Sequence, residues 1–374
     1  MPLRIAVDVT PLLGQPTGVG AFCSGLLSGL APRGGLSVSA FAVSWRRRHL
    51  VVTRAPAGIA VGQRAMPARP LHQAWRRVDF PPIEWFIGDI DVVHGTNFVV
   101  PPARRAARIV TVHDLTPVLY PELCDQASLR YPSLVRRALH GGAWIHTHSA
   151  YVAREVIDVF GADPERVRWV HSGVPPLAPA DSRAVEQVLK GRWRRYILAV
   201  GTIEPRKDLP SLALAFDAIA AQHDDLVLVL AGPDGWGREA LDRVLSTTRH
   251  RDRIIQTGWL EPGMLAGLLR GASVLAYPSI YEGFGYPPLQ AMAAGVPVVS
   301  TRAGSLPEVL GDAAILVPIG DPRSLAEALD QVLSSESLRA DLVARGLAHA
   351  AEYSWDRCAK GLEDLYRAAW ASAR

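Results

Sequence analysis

The chain has 374 residues, 49% hydrophobic and 20% charged, which suits two domains of about 150–190 residues and excludes a disordered chain. No apolar run reaches the roughly 18–20 residues that span a bilayer, and three widely spaced cysteines (Cys23, Cys124, Cys358) suggest neither a disulfide framework nor a zinc site. Residues 1–190 carry 21 Lys and Arg against 14 Asp and Glu, with clusters at Arg46-Arg47-Arg48, Arg76-Arg77 and Arg104-Arg105; these read either as solvated arginines or as a face for an anionic membrane surface or a phosphorylated acceptor.

The opening MPLRIAVDV runs into a strand pattern over 4–9 and lacks the layout of a signal peptide, so a reduced cytoplasmic enzyme is expected. The loop PLLGQPTGVG leads into a helix from Val19 to Leu30. Strands follow at 39–43, 91–95, 109–114, 144–149 and 167–173, with helices at 128–140 and 150–160, the latter capped by Ser149. Periodicity is weak over 44–80. Residues 172–182, SGVPPLAPADS, read as linker, and the pattern then restarts. Strands are expected at 196–201, 226–232, 253–258, 273–279, 296–300 and 313–318, with helices at 208–222, 237–247, 262–270, 287–294 and 322–334 and a last one at 355–372. Strands apolar along their length, alternating with helices, imply parallel sheets covered on both faces. Two such sets make two doubly wound domains, whose ligands bind at the carboxyl ends of the strands.

Chemistry concentrates at those ends. Gly18 and Gly20 stand between the first strand and its helix, where glycine lets a ligand approach the backbone. The spacing falls short of G-x-G-x-x-G, so a nicotinamide oxidoreductase has little support. His113 and Asp114 end the strand IVTV, and His94, His146, His148 and His171 end others, which suggests a polar cleft. No spacing supports a metal site, and Asp89-Ile90-Asp91 precedes its strand and reads as a solvated turn. In the second set, Gly201 ends a strand, and Glu204, Arg206 and Lys207 stand ahead of the next helix. Two adjacent cations there can neutralise a diphosphate, or form a surface ion pair with Glu204 or Asp208. Residues 277–300, YPSIYEGFGYPPLQAMAAGVPVVS, place Glu282 in a glycine-flanked loop and start a helix at Pro287 and Pro288, a helix terminus suited to a phosphate or polarised hydroxyl.

G-x-x-E-x-R-K at 201–207, followed about 75 residues later by Y-E-G-F-G, resembles the retaining glycosyltransferases of family 4, which have the two-domain GT-B fold. TGVGAF, TVHDLTPVLYPE (111–122) and SLPEVLGDAAILV (305–317) resemble the same family, and the likeness covers almost the entire chain. The resemblance implies two Rossmann-like domains facing across a cleft. Residues 1–175 would form the acceptor-binding domain, 176–195 a linker, 196–352 the donor-binding domain and 353–374 a crossover helix returning to the first domain. It places Arg206 and Lys207 on the donor's pyrophosphate, Glu282 on the donor sugar, and the Phe284 and Gly285 N–H groups on sugar hydroxyls. His113 falls near the reacting sugar, Gly18 and Gly20 beside the diphosphate, Gly201 at the opening of the Arg-Lys motif, and the base near Gly258 to Leu260. Position 290, usually a glutamate holding the ribose, is Gln290 here; glutamine keeps an acceptor and loses the charge.

What the resemblance implies, then, is an enzyme moving a hexose, best assigned as mannose from GDP-mannose, to a glycan, polysaccharide or glycolipid hydroxyl with retention. No carboxylate pair of the double-displacement kind stands out, and no metal or other cofactor is expected. A sugar-nucleotide epimerase of similar fold and a non-catalytic nucleotide-sugar binder remain as alternatives. Expected partners are the nucleotide-sugar donor and the acceptor, with peripheral contact at the inner membrane surface as a further expectation and nucleic acid excluded.

Overall fold

The computed structural model describes residues 1–14, 17–191 and 193–374; Gln15 and Pro16 of the first loop and the Arg76 side chain of one arginine cluster lie outside the described residues. Met1–Pro175 and Tyr353–Arg374 form one compact unit, and Pro176–Glu352 form the other.

In the first unit, β1 (Leu3–Asp8), β2 (Leu36–Phe41), β3 (Ala60–Val61), β4 (Val92–Gly95), β5 (Ala107–Val112), β6 (Trp144–Thr147) and β7 (Val167–Trp169) form a sheet of order β3-β2-β1-β4-β5-β6-β7. Every pairing is parallel, with β1 matched from Leu3↔Leu36 to Asp8↔Phe41 on one side and Ile5↔Val92 to Asp8↔Gly95 on the other. A parallel sheet is covered by helices on both faces, which is why Ile5, Val7, Val92, Ile109 and Ile145 are all fully buried. The weakly periodic stretch 44–80 holds two short helices, His49–Arg54 and Ala68–Arg77, on either side of the two-residue β3, and a third, Glu84–Ile87, follows it.

The last helix, Trp355–Ser372, is N-capped by Ser354, whose hydroxyl accepts from Arg357 N. It buries Cys358, Ala359, Leu362, Leu365 and Tyr366 in the same core as Phe22 and Leu26 of the helix Gly18–Leu30. Close approach is possible because residue 25 lacks a side chain: a Cβ on Gly25 would fall 2.1 Å from the Trp355 ring. The expected return of the C-terminal helix to the first domain is therefore observed.

In the second unit, β8 (Arg195–Val200), β9 (Leu226–Ala231), β10 (Ile254–Gly258), β11 (Val274–Tyr277), β12 (Val298–Thr301) and β13 (Ile315–Val317) run in the order β10-β9-β8-β11-β12-β13, again all parallel. Residues 176–195, read as linker, belong to this unit and carry the helix Ala184–Leu189. That segment lies on the helix Pro262–Gly271, with Asp181 N donating to Gly263 O at 3.0 Å and Asp181 O so close to Gly267 that a Cβ there would meet it at 2.6 Å.

Both sheets reverse their strand order once, between β1 and β4 and between β8 and β11. In open α/β sheets such switch points open crevices at the carboxyl ends of the strands, where ligands bind.

Candidate active site

At the second switch point, β8 ends at Val200 and β11 at Tyr277. After β8 the chain passes Gly201 and makes the 3-10 turn Pro205–Lys207; Asp208, at φ +45°, then caps the helix Leu209–Ile219. After β11 it runs through 278–285 into the helix Tyr286–Ala293, whose first turn carries Pro287 and Pro288 as expected. The two loops are stitched together by Ile280 N donating to Arg206 O at 2.8 Å. From the next loop, Ser305 donates its N–H and hydroxyl to Glu282 O at 2.9 and 3.0 Å. Residue 304 must be glycine there, because its φ is +54° and a Cβ would lie 2.3 Å from Glu282 O.

Held in this way, Glu282 is 6% exposed and surrounded by donors. Its Oε1 accepts from Lys207 Nζ at 2.6 Å, Tyr277 OH at 2.8 Å and Ser279 Oγ at 2.8 Å, and its Oε2 pairs with Arg206 Nη1 at 2.7 Å. Arg206 Nη1 also donates to Tyr281 O at 3.0 Å, while Nη2 donates to Glu204 Oε1 at 2.6 Å. Lys207 Nζ donates to Tyr277 OH at 2.7 Å and stands 4.6 Å from that ring's centre. Burial would push the Glu282 carboxyl up, but the Arg206 and Lys207 charges overcome it and hold it at about 2. Burial and the neighbouring Glu282 raise the Tyr277 phenol well above its usual range, so it stays protonated.

The structure thus brings Arg206, Lys207 and Glu282 into one hydrogen-bonded group. Gly201 lies against it, since a Cβ there would come within 3.3 Å of Lys207 Cε. Phe284 is buried edge-on to Tyr286, with centroids 5.3 Å apart, and Gly285 adopts φ +101° at the helix N-cap. Gln290, the fifth residue of that helix, lines a cavity of about 120 Å³ with Val200, Pro262, Leu265, Leu269 and Pro287. Gly258 ends β10 at φ +69°, its carbonyl accepting from Gly232 N at 3.1 Å, and the half-buried Leu260 follows.

His113, Gly18 and Gly20 belong to the first unit. Gly18 opens its helix and Gly20 N donates to the capping Thr17 hydroxyl at 3.2 Å, so both sit in the first turn and not in the preceding loop. His113 Nε2 lies 2.8 Å from Thr96 O, a carbonyl that can only accept, so Nε2 carries the proton. In the neutral ring Nδ1 must then accept, here from His148 Nε2 at 2.8 Å, and His148 Nδ1 accepts from Ser172 Oγ at 2.9 Å. A second chain runs from Tyr366 OH to His94 Nδ1, from His94 Nε2 to Thr111 Oγ1, from Thr111 to His146 Nδ1 and from His146 Nε2 to Val170 O. Burial depresses all four rings, His146 to about 3, so both chains are neutral networks at pH 7. The polar cleft inferred from the density of strand-end histidines is, for His94, His146 and His148, a buried network, to which the half-buried His113 is hydrogen-bonded. At the first switch point Asp8 accepts from Thr10 N at 2.9 Å and Thr10 Oγ1 at 2.5 Å, and burial raises its carboxyl to about 6.

Residues 16–176 match the family described as Glycosyltransferase Family 4, and 183–349 match Glycosyl transferases group 1. The O-antigen chain mannosyltransferase B of Escherichia coli is 31% identical over 304 residues, 80% of this chain and 77% of that protein. The chain belongs to the GT-B glycosyltransferases. The fold of this glycosyltransferase matches a sucrose-phosphate synthase from Thermosynechococcus elongatus, with a TM-score of 0.76 at 20% identity over 99% of this chain and 100% of the other. It also matches Anabaena HepE in complex with UDP and glucose, with a TM-score of 0.72 at 15% identity over 97% and 98% of the two chains.

Tyr277, Ser279 and Ser305 were not singled out by sequence reasoning, although Tyr277 and Ser279 sit in the AYPS run just before the glycine-flanked glutamate. Their hydroxyls carry no pattern of their own; proximity to Glu282 in the fold is what gives them a role. Among the described residues, no group of three or more His, Cys, Asp or Glu could hold a metal ion, and no helix is long and apolar enough to cross a membrane.

Proposed function

We propose that this glycosyltransferase moves a hexose, best assigned as mannose from GDP-mannose, to an acceptor hydroxyl of a glycan, polysaccharide or glycolipid with retention at the anomeric carbon. The observation that carries the donor assignment is the Arg206–Lys207–Glu282 group at the switch point of the second sheet. The mannose assignment draws on the O-antigen chain mannosyltransferase B relative.

Arg206 and Lys207 bind the donor's diphosphate and stabilise the negative charge that develops as it leaves, the largest catalytic contribution available to such a site. Glu282, always ionised, accepts hydrogen bonds from the donor sugar, and the Phe284 and Gly285 N–H groups meet other sugar hydroxyls. Gln290 holds the ribose through its amide, the base lies near Gly258 to Leu260, and Gly201 gives the diphosphate and Lys207 room. Departure and attack take place on the same face, and the leaving phosphate takes the acceptor's proton. The cations do the work a metal would otherwise do. In the first unit, which takes the acceptor, Gly18 and Gly20 approach the diphosphate and His113 stands near the reacting sugar. With both ring nitrogens occupied, His113 positions groups and does not shuttle protons. A cytoplasmic location and peripheral contact of the arginine-rich first unit with the membrane complete the reading.

The test is turnover and retention with GDP-mannose, UDP-glucose and their nucleoside diphosphates, alongside thermal shift. A bound nucleotide raises the melting temperature, and Arg206→Ala is expected to lower turnover by about 10²–10³-fold. Undiminished turnover in that variant, or donor conversion without acceptor as an epimerase would give, overturns the proposal. Donor binding without nucleoside diphosphate release points instead to a non-catalytic binder, which Gln290 favours.

A further inference from the structure

The cation pair assigned to the diphosphate belongs to a group that carries no net charge as it stands. Arg206 and Lys207 contribute two positive charges and Glu204 and Glu282 two negative ones, all with side chains at most 18% exposed. A diphosphate meeting this group meets neutral ground, so one carboxylate must yield its place.

The two carboxylates are not equivalent. Glu282 is gripped by Arg206, Lys207, Tyr277 and Ser279, and its backbone is pinned by Ser305. Glu204 meets the pair through Arg206 Nη2 at 2.6 Å, and Arg206 Nη1 is committed to Glu282 Oε2 and Tyr281 O. The Glu204 backbone is fixed, with its N–H on Thr202 O at 2.8 Å and Gly237 so close that a Cβ there would meet Glu204 C at 2.7 Å. What can move is the Glu204 side chain alone, by rotation about its own bonds.

We propose that Glu204 is a resident counter-anion: it occupies on Arg206 Nη2 the place that a phosphate oxygen of the donor takes, and its return to that nitrogen helps expel the nucleoside diphosphate after transfer. The inference rests on the donor-site reading above and goes beyond it. Arg206 Nη2 trades one anionic oxygen for another while Nη1 keeps Glu282, so the exchange costs the buried guanidinium no acceptor. The exchange weakens diphosphate binding in favour of release, and release limits turnover in many enzymes.

The test is calorimetric titration of the full chain with GDP, UDP and inorganic pyrophosphate, for wild type, Glu204→Gln and Glu204→Asp, with guanosine and uridine as phosphate-free controls. Glu204→Gln is expected to tighten pyrophosphate, and whichever nucleoside diphosphate the wild type binds, by about tenfold, leaving the nucleosides unchanged. Glu204→Asp, which keeps the charge, is expected to restore the weaker wild-type affinity. In steady state Glu204→Gln should lower kcat and KM together. Were Glu204→Gln to lose its cooperative melt, Glu204→Ala takes its place with the same expectation. Wild-type binding of a diphosphate with equal affinity in the uncharged variant overturns the counter-anion role alone. Failure of the wild type to bind any diphosphate overturns the donor-site reading, and this inference with it.

Discussion

Glu282 Oε1 receives three donors from three different places in the chain: Lys207 after β8, Tyr277 at the end of β11 and Ser279 in the loop beyond. A carboxylate so placed holds two cations in register before any donor arrives, and its loss leaves both facing one another with Glu204 alone to balance them. Glu282→Gln is therefore expected to destabilise the fold by about 3 kcal/mol in a denaturant titration; an unchanged midpoint would show that the group is not held by charge. Asp8 carries the opposite balance. Its folded pKa of about 6 lies above the ordinary 3.8, so its contribution favours folding fully below pH ~4 and is lost as pH rises through 6, at a cost of about 3 kcal/mol once ionised. Asp8→Asn keeps an oxygen for Thr10 and removes the charge. We expect its melting temperature to exceed the wild type's at pH 8 and to match it at pH 4, and a pH-independent difference would contradict the assignment.

Among the elements, the last helix is hydrogen-bonded to the strands at two side chains, Ser372, which accepts from Trp144 Nε1 at 3.2 Å, and the fully buried Tyr366. Tyr366 OH heads the directed chain through His94, Thr111 and His146 to Val170 O. Tyr366→Phe leaves His94 Nδ1 without its donor and is expected to cost about 1–3 kcal/mol, read as a lower urea midpoint with unchanged slope. Strand positions in both sheets, the two-residue β3 apart, were readable from apolar runs, because a strand buried on both faces is apolar along most of its length. The helix over 287–294 was readable from its first-turn prolines and from Gly295, which lies at φ +73° after the last turn. The stretch 172–182 reads as linker because small residues suit a flexible chain and a close-packed one equally well; the contacts of Asp181 with Gly263 and Gly267 show the close-packed case there.

At the scale of the whole molecule, the four hydrogen-bonded histidines of the first unit contribute to its response to acid. Burial keeps their folded pKa values below the ordinary 6.5, so the unfolded chain takes up protons that the folded one refuses as pH falls below 6.5. Each ring then costs up to about 1.4 kcal/mol per pH unit until its own folded pKa is reached, with Asp8 working the other way between 6 and 4. Melting curves from pH 7 to 4 should show a steep acid loss of stability; a flat profile would mean that these rings are not held neutral.

The order of apolar runs and helices determined two doubly wound domains by itself, and the spacing of R-K and E-G-F-G pointed to the residues that meet in the second one, because backbone periodicity and loop chemistry are local properties. Only the tertiary structure decided which charges offset one another. Sequence shows that Arg206 and Lys207 are cations but not that Glu204 and Glu282 cancel them. It shows that His113 ends a strand but not that Thr96 and His148 already occupy both ring nitrogens. Charge balance and proton placement depend on distances of about 3 Å between residues far apart in the chain, which only folding brings about.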